Sequence, residues 1–175
     1  MPGYVIHLAA TEEYLKKQDK NRKENYKNFI EGVIFPDSVS EKSLTHYGKN
    51  SSSVNLVTFL NNNSIEESFN RGYFLHLLTD YLFYNKYIEY FSNDIYNDYD
   101  ILNKSLIEKY NVKLPKKVKN QVFFKENLDL KILSLELVDN LILEVSSKNL
   151  DMLKNEIEKD PIKWTKIRKL KKFDS

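Results

Sequence analysis

From Tyr73 to Phe83 the chain reads Tyr-Phe-Leu-His-Leu-Leu-Thr-Asp-Tyr-Leu-Phe, apolar but for His76, Thr79 and Asp80. At helical period this stretch has no polar face, so a helix built on it must be enclosed by other elements. It lies within a segment that reads as one long helix from Ser64 to about Phe91, opened by Ser64 and Glu67 at capping-box spacing. With four Gly and four Pro in 175 residues, the chain lacks the turn residues of a compact all-β fold. The expectation is an all-α protein: a single-domain multi-helix bundle over residues 1–175, a length that closes one core.

The remaining helices follow from apolar spacing and its interruptions. A first helix is expected over about Tyr4–Lys17, then a polar link at 18–24, then a short helix over about Asn25–Ile34 with Phe29, Ile30 and Val33 inward. Pro36 cannot donate to a helix and biases Phe35 toward extended geometry, so that helix should stop there. Residues 36–53 read as an ordered loop. Further helices are expected at Asp94–Tyr110, closed by Asn111 and Pro115, and at about Leu130–Ser146, Asn149–Lys159 and Pro161–Lys171. Neither an internal repeat nor an interdomain linker is evident.

Several function classes are set aside by composition. Without cysteine, disulfides and thiolate metal sites are excluded, so any metal must rest on His and carboxylate ligands. A formal net charge of +2 makes no electrostatic case for nucleic acid. The basic cluster Lys163, Lys166, Arg168, Lys169, Lys171 and Lys172 reads as a solvated helix end. No run of about 18 apolar residues suggests a transmembrane segment, and no signal peptide is recognised at the N-terminus, so a cytoplasmic location is expected by default. Gly-rich phosphate loops and the Gly-x-Ser-x-Gly turn are absent. The aromatic run Tyr81, Phe83, Tyr84, Tyr87, Tyr90, Phe91 reads as core.

The chemistry-bearing residues are few. The chain has three histidines, His7, His46 and His76. His76 and Asp80 are four residues apart and so share a helix face one turn apart. In an apolar helix an ionised carboxylate is costly unless it meets a cation or a set of donors. A metal ion would satisfy both side chains, and a buried His–Asp hydrogen bond is the ordinary alternative. Asp37, after Pro36, reads by itself as a turn carboxylate, and His46 as a solvated loop residue nine positions on. His7 reads by itself as a core histidine, satisfied by a backbone carbonyl or by a carboxylate such as Asp80. The segment Tyr96-Asn-Asp98-Tyr-Asp100 could add a ligand, its ordinary reading being a solvated helix start.

Taken in order, these pieces resemble a known pattern. A His in the first helix is followed by Gly32-x-x-x-Pro36-Asp37, then Lys42-x-x-Thr45-His46, then Gly72-Tyr-Phe-Leu-His76-Leu-Leu-Thr-Asp80. Over about residues 3–90 the chain is similar to the zinc-dependent phospholipase C family, whose fold is shared with single-strand-specific zinc nucleases. That resemblance implies an all-α fold and a zinc cluster that cleaves phosphate esters. It implies one metal on Asp37, His46, His76 and Asp80, and a second shared by Asp80 and His7, with Asp37 also a candidate base for the attacking water. Two family features are missing. The chain begins Met-Pro-Gly where the family uses a free N-terminal Trp, and it has no His after His76, so the third metal lacks its His ligands unless Asp98 or Asp100 stands in.

The functional expectation is therefore a metal-dependent hydrolase, a phosphoesterase using a metal-bound hydroxide, with a small phosphate ester or phospholipid headgroup as substrate. Zinc, as one or two ions, suits three imidazoles, with manganese and iron as alternatives by ligand type. Lys42 or Arg71 could neutralise a substrate phosphate. The rival reading is a non-catalytic helical protein whose metal is structural or whose site is degenerate, acting as a binding module. A closed four-ligand site would favour it.

Overall fold

The computed structural model describes residues 3–18, 22–126 and 129–172. The fold is mostly helical. In chain order come α1 (Tyr4–Lys16), α2 (Tyr26–Ser38), the single turn α3 (Ser43–His46), α4 (Leu56–Asn62), α5 (Ser68–Leu82), α6 (Asp94–Tyr110), α7 (Leu135–Ser146) and α8 (Leu150–Lys159). Short 3-10 segments lie at Ser51–Ser53, Lys119–Gln121 and Pro161–Thr165. Two-residue strands, β1 (Tyr90–Phe91) and β2 (Lys171–Lys172), pair in parallel with Tyr90 opposite Lys171. Among the described residues no helix is long and apolar enough to cross a membrane.

Helix α5 is the axis, as its missing polar face requires: every residue from Arg71 to Asp80 is buried. Helix α2 lies along it with backbones in near contact. A Cβ on Gly32 would fall 1.9 Å from Phe69 O, and one on Gly72 would fall 2.0 Å from Phe29 O. Only glycine fits at either place, and the reciprocal pair fixes how closely and in what register α2 meets α5. Helix α1 covers a second side of α5 and is itself buried against α6 and α7.

Several helix limits differ from expectation, each for a local reason. Helix α2 does not stop before Pro36 but runs to Ser38. Pro36 falls in the last turn, where it removes one i→i−4 bond, and its carbonyl accepts a hydrogen bond from Thr45 Oγ1 at 2.9 Å. Helix α5 starts at Ser68 rather than Ser64, because Ser64 Oγ accepts from Glu66 N at 3.3 Å in a local turn instead of capping a helix. It ends at Leu82, widens into a π turn over Phe83–Tyr87, and becomes extended at Ile88. Helix α7 starts at Leu135, capped by Ser134 Oγ on Leu137 N. The residues just before it are held otherwise, since the N–H groups of Lys131, Ile132 and Leu133 are given to Asp98.

The expected helix at Pro161–Lys171 is only a 3-10 turn to Thr165. Beyond it the chain is tied to the end of α5: Arg168 N donates to Asn85 Oδ1 at 2.7 Å, the Arg168 guanidinium to Ile88 O, and Lys171 N to Glu89 O at 3.0 Å. The basic cluster is therefore a strap and not a helix end. The loop at 36–53 is ordered by α3 and a 3-10 turn. Helix α4, with Asn55 Oδ1 accepting from Thr58 N, was not anticipated. Of the expected link at 18–24, positions 19–21 lie outside the described residues, as do Met1 and Pro2.

Candidate metal centre

Five residues from four elements meet where α1, α2, α3 and α5 converge: His7 from α1, Asp37 from the last turn of α2, His46 from the end of α3, and His76 and Asp80 from α5. All five residues singled out in the sequence are brought together. His46 and Asp80 are fully buried, His7 and His76 are 1% exposed, and Asp37 is 7% exposed with a fully enclosed side chain.

Two of the imidazoles are fixed from behind. His76 Nδ1 donates to Val33 O at 2.7 Å, and His46 Nδ1 to Lys42 O at 3.1 Å. Placing the proton on Nδ1 leaves the Nε2 lone pair of each ring directed inward, the arrangement that a hydrogen-bonded backbone carbonyl imposes on metal-binding histidines. Asp37 is held by Lys42, whose Nζ donates to Asp37 O at 2.8 Å and lies 3.6 Å from Oδ1.

Inside the cluster the separations are short. His46 Nε2 lies 3.0 Å from Asp80 Oδ2 and 3.5 Å from Asp37 Oδ1. His76 Nε2 lies 3.3 Å from Asp80 Oδ2 and 3.7 Å from Asp37 Oδ2. His7 Nε2 lies 3.1 Å from Asp80 Oδ1, and its ring stacks on His76 with centroids 3.7 Å apart. Yet none of these contacts has hydrogen-bond geometry. Both nitrogens of His7, Nε2 of His46 and of His76, and both oxygens of Asp37 and of Asp80 are buried without a hydrogen bond among the described residues. The ordinary readings of these residues, a satisfied core histidine and a buried His–Asp hydrogen bond, both require a bond that is not made.

The donor atoms face one another as ligands around an ion do. Four ligands at about 2.0–2.1 Å in a tetrahedron stand about 3.3–3.4 Å apart. The separations of His46 and His76 from the one Asp80 Oδ2, 3.0 and 3.3 Å, are close to that edge, whereas their contacts with Asp37, at 3.5 and 3.7 Å, go to different oxygens. Two overlapping groups could each hold a cation, one of His7, Asp37 and His76 and the other of His46, His76 and Asp80. His76 offers one free nitrogen and can serve only one ion at a time, whereas Asp80 presents a separate oxygen to His46 and to His7.

The charges respond accordingly. Burial alone would raise the Asp80 carboxyl, but the imidazoles of His76 and His7 and the contact from His46 hold it well below the usual carboxylate range. Burial and the stacked His76 ring push His7 below its ordinary value against the pull of Asp80. His76 is held above its ordinary value, because Asp37, Asp80 and the Val33 carbonyl outweigh its burial.

Residues considered around this core fall elsewhere. Asp98 is not a solvated helix start: its carboxylate is fully buried and accepts from three consecutive backbone N–H groups at 2.7 to 3.2 Å. Asp100 faces Lys125 at 3.8 Å. Neither joins the cluster. Arg71 is committed to Glu24, Asp151, Tyr14 and Ile65 O, so it neutralises protein groups and not a ligand of the cluster. Sequence reasoning missed the hydroxyls of Tyr4 and Tyr99, both buried without a hydrogen bond among the described residues. The spacing of Tyr4 three before His7 was the available signal for the first. No protein-family model, no curated protein and no solved structure matches the chain.

Proposed function

We propose that this protein is a metal-dependent hydrolase acting on phosphate esters, with zinc held by Asp37, His46, His76 and Asp80 and with His7 and Asp80 Oδ1 available to a second ion. The observation that carries the reading is the enclosed set of nitrogen and carboxylate oxygen atoms that lie at ligand–ligand separations yet make no hydrogen bonds to one another. The ordered likeness to the zinc-dependent phospholipase C family supports the same reading and points to a phosphate monoester, diester or phospholipid headgroup. Manganese or iron would suit the same ligands less specifically.

A divalent metal bound there supplies Lewis acidity toward a phosphoryl oxygen and lowers the pKa of a coordinated water toward neutrality. The chain's own groups do the rest. Val33 O and Lys42 O lock the two imidazoles, so His76 and His46 present Nε2 without rotation. Asp37 Oδ1, beside the Lys42 ammonium at 3.6 Å, is the atom to accept a proton from the attacking water, and Lys42 balances the charge while Asp37 is ionised. Enclosure by α1 and α5 excludes bulk water and strengthens each electrostatic contact.

A second reading has one observation in its favour: the cluster is closed, with His46 and Asp80 fully buried, as in a structural metal site or a degenerate one serving a binding module. Elemental analysis of the purified protein tests the metal itself. About one to two equivalents of zinc are expected, lost in His76→Ala; no metal after reconstitution with zinc and manganese would overturn the proposal. A metal-loaded protein that hydrolyses neither phosphate monoesters, diesters nor phospholipid headgroups would favour the structural reading.

A further inference from the structure

A metal site for phosphate esters also needs donors for the oxygens that the metal does not reach. The five cluster residues supply none, and Lys42 is spent on Asp37. Tyr4 stands in the first turn of α1, three residues before His7, so the two side chains share a helix face. Its hydroxyl is buried and makes no hydrogen bond among the described residues. The ring of Tyr99, in α6, lies against the start of α1: a Cβ on Gly3 would be 3.3 Å from Tyr99 Cγ. The Tyr99 hydroxyl is also buried without a hydrogen bond among the described residues.

Two buried hydroxyls without a hydrogen bond among the described residues, both acted on by the charge of Asp37, form a pattern, since a buried O–H left unpaired is costly and rare. Both phenols sit in the field of the cluster's carboxylates. Burial and Asp37 raise Tyr4 to about 12, and burial, with Tyr96, Asp80 and Asp37 among the charges acting on it, holds Tyr99 well above its ordinary value. Each therefore keeps its proton and is a donor. Tyr4 also lines a cleft of about 110 Å³ with Phe35 and Ser38, which flank Asp37 in the last turn of α2.

We infer that the hydroxyls of Tyr4 and Tyr99 are the hydrogen-bond donors for the oxygens of a phosphate group held at the His7–Asp37–His46–His76–Asp80 cluster. They are positioning residues, and the inference rests on the metal-hydrolase reading.

The test uses zinc-loaded full-length protein and inorganic phosphate as the probe. Zinc content and phosphate affinity are measured for wild type, Tyr4→Phe, Tyr99→Phe and the double variant, the affinity by calorimetry. Cobalt-substituted samples report phosphate arrival at the metal through their visible absorption. Each phenylalanine keeps the ring and its packing, so zinc content should hold while the phosphate Kd rises about tenfold per hydroxyl removed, the loss of one hydrogen bond to a charged group. Unchanged phosphate affinity in the double variant would overturn the inference and leave the metal reading intact, as would a zinc-loaded wild type that binds no phosphate. A wild type that holds no metal would overturn both.

Discussion

Two fully buried carboxylates, one in α5 and one near the start of α6, are answered by the fold in opposite ways. Asp98 is given the N–H groups of Lys131, Ile132 and Leu133, and the backbone ahead of α7 takes its course from that grip. Asp80 is given only imidazole nitrogens at 3.0 to 3.3 Å, none aligned as a donor. The desolvation of each carboxylate is comparable, but only at Asp98 does the protein compensate it with its own dipoles. A carboxylate that organises a loop and one that waits for a cation look alike in burial. They differ in where their neighbours point.

That contrast can be broken or sharpened by experiment, starting with the largest effect. Asp98→Ala leaves three buried N–H groups without their acceptor and should cost about 3–5 kcal/mol in urea unfolding while zinc stoichiometry holds at low temperature. Loss of zinc with little loss of stability would reverse the roles of the two carboxylates. Gly72→Ala drives a methyl group into Phe29 O and should cost about 3 kcal/mol by separating α2 from α5. Here metal and stability should fall together, because Asp37 rides on one helix and His76 and Asp80 on the other.

Zinc at about a hundred times its Kd should stabilise the protein by about 2.7 kcal/mol, a rise in Tm of about 5–10 °C that His76→Ala abolishes. The same binding has a pH signature. His76, held above its ordinary value of 6.5, must give up a proton to bind, whereas His7, held below it, is already neutral. Zinc affinity should therefore climb as pH rises toward the raised His76 value, with proton release on binding measurable by calorimetry in buffers of different ionisation enthalpy. The smallest effect belongs to Asp80→Asn in metal-free protein. Removing a carboxylate that faces only imidazoles should destabilise the metal-free protein less than Asp98→Ala does, while zinc binding is lost. A penalty as large as that of Asp98→Ala would show that Asp80 is structural.

The sequence made much of this legible where side-chain chemistry repeats at helical spacing. The enclosure of α5 follows from its missing polar face, whereas the convergence of His7, Asp37, His46, His76 and Asp80 was implied only by the resemblance to the zinc-dependent phospholipase C family. What could not be read were features decided by distant partners. Residues 131–133 carry helical spacing yet are bent around a carboxylate more than 30 positions earlier. Pro36 signals a stop that packing on α5 overrides. Residues 166–172 look like a basic helix end until Asn85, Ile88 and Glu89 claim their backbone and the Arg168 side chain. Tyr99 gave no sign, because its neighbourhood exists only once α6 lies across the start of α1.

The packing of α1 against α7 also sets an order of assembly. Four of the five cluster residues lie within residues 26–82, and α2 and α5 can pair as soon as that stretch is made. Helix α1 needs the surface of α7, and Lys17 Nζ reaches Ser146 Oγ across 129 positions. At ribosomal speeds of about 5–20 residues per second, the segment between Leu82 and Ser146 takes roughly 3–13 s to appear. For that interval α1 can lie on α2 and α5, but the side that α7 takes is bare. The nascent chain thus passes through a stage in which α1 is uncovered on the side that α7 takes, and the arrival of α7 encloses it.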